Sequence, residues 1–282
     1  MLMGLGRLSR GQGSDGAGAA DDVRADPENT LSEEDIDKYE SLLKQMKPVI
    51  SNPDFPVFEV AIAGGRTALA HEFPFMVSLQ KDGSHFCGGA ILSAKHVIIA
   101  AHCLWDTNGN RIAATDITVG VGLRDRTVRR PANLFSVKLA LPHSHYRGRD
   151  TAYEHDIAVL TLTEPLPRAM SGRLASRITL PPSKRINPEP GSVLQAAGWG
   201  QTVGGGQGYG RATERLQAAN LTVISLVECR RRLADDTMPI TKMCVDNTIT
   251  TTCQGDSGGL LFQKLPGGHF RLEGITSYGV EK

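Results

Sequence analysis

The chain has 282 residues, of which 40% are apolar, 22% charged and 5% aromatic, and its formal net charge is +1. This length can bury a sizeable hydrophobic core, which excludes a small scaffold held together by disulfides alone. The near-neutral charge argues against a nucleic-acid partner, and no stretch approaches the roughly 18 apolar residues of a membrane-spanning helix. We therefore expect a soluble globular protein that binds neither nucleic acid nor membrane.

The beginning of the chain is acidic and the remainder is basic. Residues 1–61 hold 6 basic and 12 acidic side chains, whereas residues 62–282 hold 25 basic and 18 acidic ones. Residues 1–29 are rich in Gly, Ser, Ala and Asp with few large apolar side chains, so we expect this acidic leader to be disordered. Its apolar residues are too few and too broken for the hydrophobic region of a signal peptide.

A second segment, residues 30–61, is predicted to hold one helix followed by an extended linker. The capping box Thr30–Glu33 and the helical spacing of the apolar residues after it predict an amphipathic helix over Leu31–Lys47. Three prolines then mark the linker. The acidic leader and the basic body either attract each other or form two independent solvated surfaces, and the sequence leaves both interpretations open.

Short runs of β-forming residues, separated by turn residues, fill the rest of the chain. Eight of them are Phe75–Gln80, Gly89–Leu92, Val97–Ile99, Ile117–Val121, Ile157–Leu160, Val193–Ala196, Leu221–Ile224 and Gly259–Phe262. Because no helical periodicity separates these runs, the pattern predicts an all-β sandwich or barrel.

Three distant segments each place one member of a nucleophilic set in a distinctive context. They are Ala100–Cys103, His155–Leu160 and Gly255–Gly259. A serine hydroxyl is a poor nucleophile at neutral pH, so acyl transfer needs an imidazole to take its proton and a carboxylate to orient that imidazole. His102, Asp156 and Ser257 supply this set. The glycines around Ser257 let the backbone turn so that the amides of Gly255 and Ser257 can donate to one developing oxyanion.

With these motifs the chain resembles the chymotrypsin/trypsin-like serine proteases, in the order His, Asp, Ser. The resemblance runs from Ile62 to Lys282. Further matching motifs are Ile62–Gly65, Phe73–Gln80, Cys87–Gly89, Gly198–Gly200 and Ser277–Gly279. Of all the motifs, only Gly-Asp-Ser-Gly-Gly is specific by itself. The other motifs support the resemblance because they occur together in the order that the family has.

The resemblance implies two perpendicular six-stranded antiparallel β-barrels over residues 62–282, with the catalytic residues in the cleft between them. The family's last strand and C-terminal helix would lie beyond Lys282. The resemblance also implies the disulfides Cys87–Cys103 and Cys229–Cys244, and it assigns Cys253 a partner beyond Lys282. We expect a monomer that acts on protein or peptide substrates and needs no cofactor and no metal.

Relatives are made as zymogens that are cut before a sequence like Ile62–Gly65. The new α-amino group then pairs with the aspartate that precedes the nucleophile, which here implies Ile62 with Asp256. Ala61 precedes this bond, whereas most relatives carry Arg or Lys there. We therefore expect an elastase-like activating protease or self-processing. The remaining alternative is that no such cleavage occurs.

The resemblance places Thr251 at the base of the primary specificity pocket, six residues before the nucleophile. Because Thr251 is uncharged, the pocket cannot favour Lys or Arg by ion pairing, and we expect an apolar residue before the scissile bond. The other pocket residues implied by the resemblance are Thr252, Gln254, Ser277, Tyr278 and Gly279. The last three would also pair with extended substrate backbone.

The sequence thus predicts a serine endopeptidase that forms an acyl-enzyme and is secreted, on family grounds. The alternative is a catalytically inactive homologue that binds partners or regulates through the same cleft. The remaining histidines are predicted to be surface or packing residues because none has a metal-ligand spacing: His71, His85, His96, His143, His145, His155 and His269.

Overall fold

The structure is a computed structural model, and it describes residues 60–63, 65–128, 130–148, 153–170, 174–182, 188–200, 213–234, 236, 238, 242–246, 251–253 and 259–277. Of residues 60–63, 169 and 251–253 it describes the backbone alone. The predicted leader and the predicted helix over Leu31–Lys47 lie outside the described residues.

The described part of the chain is built almost entirely of short strands. They are β1 (Val60–Ala63), β2 (Arg66–Thr67), β3 (Met76–Lys81), β4 (Ser84–Ile91), β5 (His96–Ile99), β6 (Thr118–Val121), β7 (Leu134–Pro142), β8 (Ala158–Leu162), β9 (Val193–Gly198), β10 (Gln217–Ile224), β11 (Cys244–Asp246), β12 (Thr251–Cys253), β13 (Leu260–Lys264) and β14 (Phe270–Ile275). The α-helix α1 (Leu226–Leu233) follows β10, and 3-10 turns cover Ala101–Leu104, Ala114–Asp116, Pro131–Asn133 and Arg168–Met170. The all-β prediction is confirmed.

Six antiparallel strands close a barrel in the order β3, β4, β5, β8, β7, β6. The ring closes where β6 pairs with β3, with Val121 opposite Val77. At Gly89 the strands β4 and β5 approach closely, since a Cβ there would lie 2.7 Å from the Ile98 carbonyl oxygen. This position therefore accepts only glycine without a backbone shift, which explains one glycine of the Cys87–Gly89 motif.

The second sheet also has six strands, in the order β11, β10, β9, β13, β14, with β2 pairing to β10. Its buried face carries Leu194, Ala196, Leu221 and Leu261, all less than 9% exposed. Among the described residues this sheet forms an open path, so the closure of a second barrel stays a prediction. The strands β1 and β12 pair separately as a two-stranded sheet.

An aromatic cluster joins the barrel to the second sheet. Phe75, which leads into β3, lies 4.9 Å from Phe262 of β13, measured between ring centroids, and Phe73 lies 5.1 Å from the same ring. Phe270 of β14 completes the cluster at 5.5 Å from Phe262. These tilted and edge-to-face arrangements are the favourable geometries for aromatic pairs. The cluster holds together the two halves whose strand ends supply the site.

The helix α1 was not predicted, although its start carries a sequence signal. Ser225 accepts a hydrogen bond on its side chain from the Glu228 backbone N–H at 3.1 Å, as the first residue of a capping box does. Ala234 ends the helix in the left-handed conformation, with φ of 52°. The short Ser-Leu-Val-Glu motif marks this N-terminus in the sequence.

Glu228 makes the stability of α1 depend on pH. Hydrogen bonds to Arg231 (2.7 Å) and Arg232 (2.6 Å) lower the pKa of the Glu228 carboxyl to about 2. Because the folded-state pKa lies below the unfolded value, this contribution is present above about pH 4.5 and is lost as the pH falls towards 2.

We expect Glu228→Gln to lower the melting temperature at pH 6 and to lower it progressively less as the pH falls from 4.5 to 2. Melting curves of both proteins across this range test the prediction. A difference that stays constant down to pH 2 would contradict it. Glu214→Gln, at a glutamate of the loop before β10, serves as the control.

Candidate active site

The pairing of β5 with β8 brings two predicted catalytic residues together. Ile99 at the end of β5 lies opposite Ala158 at the start of β8. His102 follows β5 in the turn Ala101–Leu104, and Asp156 precedes β8 by two residues. Because neighbouring antiparallel strands begin and end at the same edge, residues 54 apart in sequence meet there.

Asp156 holds His102 by two hydrogen bonds. The His102 backbone N–H donates to Asp156 Oδ1 at 2.8 Å, and His102 Nδ1 lies 2.7 Å from Asp156 Oδ2. An ionised carboxylate only accepts hydrogen bonds, so Nδ1 carries the proton and Nε2 is the basic nitrogen. The Asp156 side chain is fully buried, whereas that of His102 is 17% exposed. This arrangement fixes the tautomer of the imidazole while leaving its ring at the surface.

Ser277 completes the surroundings of the carboxylate. It follows β14 and is buried, and its hydroxyl donates to Asp156 Oδ2. The sequence analysis predicted that Ser277 lines the substrate pocket and pairs with the substrate backbone. The hydrogen bond of its hydroxyl to Asp156 was not predicted. Asp156 therefore accepts hydrogen bonds from both halves of the fold.

Removing the Ser277 hydroxyl should weaken the orientation of His102. A hydrogen bond to a charged group contributes about 1.5 kcal/mol or more. We expect Ser277→Ala to lower kcat/KM about tenfold, at unchanged substrate preference, in assays with a chromogenic peptide. Ser93→Ala is the matched control, since it removes a serine hydroxyl 2.8 Å from Nδ1 of a different histidine, His96. Equal losses in the two variants would contradict the assignment.

Tyr153 is a site residue that the sequence analysis missed. Its ring lies edge-on to His102, with 6.3 Å between centroids and 81° between planes. Tyr153 has a positive φ of 55°, an uncommon conformation for a bulky residue. An aromatic residue three positions before Asp156 is the only sequence signal for this wall of the site.

Both disulfides implied by the resemblance are present. Cys87 bonds to Cys103 next to His102, and Cys229 bonds to Cys244 between α1 and β11. The sulphurs of Cys87 and Cys103 lie near enough to His102 to suggest a metal site. Because these sulphurs form a disulfide, they offer no thiolate ligand.

The remaining predicted site residues are only partly described. Ile62 lies in β1, and Thr251 and Thr252 lie in β12, which pairs with β1 so that Ala63 is opposite Thr251. Six predicted residues lie outside the described part of the chain: Gln254, Gly255, Asp256, Ser257, Tyr278 and Gly279. Their assignments stay predictions.

Comparisons with known proteins agree with this geometry. The sequence model of the family described as Trypsin matches residues 62–282. The chain therefore belongs to the trypsin family. It is a serine endopeptidase, a hydrolase whose substrates are proteins. In the part of the chain that the structure describes, no helix is long and apolar enough to cross a membrane.

Individual relatives cover most of the chain. Granzyme M of Homo sapiens is 33% identical over 207 residues, which are 72% of this chain and 74% of the relative. Granzyme M of Rattus norvegicus is 32% identical over 225 residues, or 78% and 80% of the two chains. Trypsin epsilon of Drosophila erecta is 33% identical over 230 residues, or 79% of each chain.

Proposed function

We propose that the chain hydrolyses peptide bonds through an acyl-enzyme on Ser257, with His102 as general base and Asp156 as the orienting carboxylate. The observation that carries the proposal is the 2.7 Å contact of His102 Nδ1 with the buried Asp156 carboxylate. That contact directs the basic Nε2 away from Asp156, where a nucleophile's proton can reach it.

The proposed reaction has two balanced halves. His102 Nε2 takes the Ser257 hydroxyl proton as Oγ bonds to the scissile carbonyl carbon, and the amides of Gly255 and Ser257 donate to the resulting oxyanion. His102 then gives its proton to the leaving amine as the C–N bond breaks. Water then attacks the ester carbonyl carbon while His102 Nε2 takes its proton. His102 returns that proton to Ser257 Oγ as the ester bond breaks, which releases the carboxylic acid and restores Ser257.

The proposed specificity is for an apolar residue before the scissile bond. Thr251 at the base of the pocket supplies no carboxylate for a Lys or Arg side chain. We expect kcat/KM to be about 100-fold higher or more for peptides with Phe or Leu at this position than for the Arg peptide, since a cation left unpaired in an apolar pocket is strongly disfavoured. A peptide series that differs at this one position measures the ratio, and a preference for Arg would overturn the proposal.

The proposed activation is cleavage between Ala61 and Ile62, followed by pairing of the new α-amino group with Asp256. The contact of β1 with β12 supports it, because the strand that carries the cleavage bond lies against the strand that carries the pocket residues. Release of the new N-terminus would therefore act directly on the pocket. We further propose that the activating protease accepts Ala61 before the cleaved bond. We also propose that the protein is secreted.

N-terminal sequencing tests activation. Elastase treatment of the full chain should produce an N-terminus at Ile62 together with hydrolysis of a Phe peptide, whereas Ser257→Ala should give the same N-terminus without hydrolysis. Ala61→Asp should resist this cleavage and stay inactive, which separates the effect of the cut from that of elastase itself. Activity of uncut Ala61→Asp equal to that of the cut chain would overturn the zymogen proposal.

A further inference from the structure

The strand β10 contains the tripeptide Asn220-Leu221-Thr222. An asparagine followed by any residue except proline, and then by Ser or Thr, is the acceptor sequence for N-linked glycosylation. No other tripeptide of the sequence fits this pattern. The proposed catalytic mechanism makes no use of these residues.

The fold presents both polar residues of the tripeptide to solvent. Asn220 and Thr222 are exposed, whereas Leu221 between them is 3% exposed and packs in the core of the second sheet. Side chains of a strand alternate between its two faces, so Asn220 and Thr222 share the outer face. In the part of the chain that the structure describes, no hydrogen bond engages the Asn220 side chain. Its amide nitrogen can therefore carry a substituent without breaking a contact.

The neighbouring strands leave room around Asn220. On one side β10 pairs with β9, where Gln195 lies opposite Asn220. On the other side β2 pairs with Gln217 and Ala218, and β11 pairs with residues 222–224. Among the described strands, Asn220 thus lies at a gap between β2 and β11. Few side chains flank it on the outer face, and a bulky group fits there.

An exposed apolar side chain lies beside the tripeptide. Val193 of β9 pairs opposite Thr222 and is 57% exposed, one of four large apolar side chains that the described residues leave exposed. Asn220 and Val193 are diagonal neighbours on this face, at a typical separation of about 7–8 Å. The first sugar of an N-linked glycan is N-acetylglucosamine, whose ring and acetyl methyl group present C–H surface. That surface can cover Val193 and remove it from water.

We propose that Asn220 is an acceptor for an N-linked oligosaccharide whose first sugar packs over Val193. Because the transfer takes place inside the secretory pathway, this inference rests on the proposed secreted location. It uses neither Ser257 nor any other residue of the candidate active site, so it is independent of the proposed catalysis.

The transfer requires a polyprenyl-diphosphate-linked oligosaccharide and a membrane-bound oligosaccharyltransferase. The Asn220 amide nitrogen bonds to the anomeric carbon of the first sugar as the bond from that carbon to the diphosphate oxygen breaks. The amide loses one proton to a base of the transferase, and the lipid diphosphate leaves. The transferase acts while the chain is still unfolded, so the folded protein has only to accommodate the sugar.

Occupancy of Asn220 is measured on the full chain, directed into the secretory pathway of a eukaryotic cell by an added signal peptide. Peptide-N-glycosidase in ¹⁸O-water converts a glycosylated asparagine into an ¹⁸O-labelled aspartate, which mass spectrometry locates. We expect this label at position 220 in most wild-type and Thr222→Ser molecules, and none in Asn220→Gln or Thr222→Val. Asn108→Gln, at an exposed asparagine outside any acceptor tripeptide, should keep the glycan. A wild-type chain recovered from the secretory compartment with unmodified Asn220 would overturn the proposal.

Protein isolated from its natural source separates the acceptor site from the secreted location. A glycan on Asn220 of that protein would support both. An unmodified Asn220 there, together with an occupied Asn220 in the chain directed by the signal peptide, would overturn the secreted location and support the acceptor site.

The contact with Val193 is tested by enzymatic removal of the glycan. Complete removal should lower the melting temperature of the wild type by about 1–2 °C. It should lower that of Val193→Thr by less than half as much, because threonine keeps the β-branched shape but replaces a methyl group by a hydroxyl. Trimming to the first sugar alone should leave both melting temperatures unchanged. Equal shifts in the two proteins on complete removal would overturn the contact.

Discussion

Replacing Asp156 by Asn should lower kcat about 10⁴-fold while leaving the fold intact. In the wild type both carboxylate oxygens accept hydrogen bonds, one from the His102 backbone N–H and the other from Nδ1 and Ser277. The amide has a single oxygen. If that oxygen accepts from the backbone N–H, the amide NH₂ faces Nδ1, which must then accept and leave the proton on Nε2. With Nε2 already protonated, His102 could not take the proton of the Ser257 hydroxyl.

Steady-state kinetics on a Phe peptide measure this loss after activation. The control is Asp116→Asn, at an exposed carboxylate 3.8 Å from Lys81, which should retain wild-type kcat. Melting curves of both variants establish that the fold is intact. A loss smaller than about 100-fold for Asp156→Asn would contradict the orienting role of this carboxylate.

Replacing Phe262 by Ala should destabilise the protein by about 3–5 kcal/mol. Phe262 is fully buried and contacts the aromatic rings that link the barrel to the second sheet. Truncation removes its apolar contacts and leaves a cavity between two β-sheets, whose backbones are too rigid to fill it.

Chemical denaturation measures the free energy of unfolding. Phe262→Leu should lose less than Phe262→Ala, because leucine keeps most of the buried apolar volume although it loses the aromatic pair contacts. Leu69→Ala, at a leucine that is 67% exposed, should change stability by less than about 0.5 kcal/mol. A Phe262→Ala variant as stable as Leu69→Ala would contradict the role of the cluster.

The strand pattern was predictable because it depends on local sequence. All eight predicted runs lie wholly or largely within strands of the structure, as Val97–Ile99 does within β5. The longer elements β7, β14 and α1 were missed, as were the short strands β1, β2, β11 and β12. The signal for β14 is weak because its residues between Phe270 and Ile275 include a charged pair that lies on one face, with Arg271 bonded to Glu273 at 2.8 Å.

The site was predictable only where a motif marks it. His102 and Asp156 stand in distinctive segments, and the structure places them in contact. The placement of Tyr153 against His102 depends on how the connection from β7 to β8 folds back, and no spacing in the sequence encodes that return. The contact of Ser277 with Asp156 likewise spans 121 positions and follows from the meeting of two sheets.

The account is tested most directly by labelling the chain with a fluorophosphonate probe, before and after cleavage at Ile62, and locating the label by mass spectrometry. The account predicts label on Ser257 in the cleaved chain, none in Ser257→Ala, and strongly reduced labelling in Asp156→Asn. A cleaved, folded chain with an N-terminus at Ile62 and no label on Ser257 would contradict it, and would favour a homologue that binds partners without catalysis.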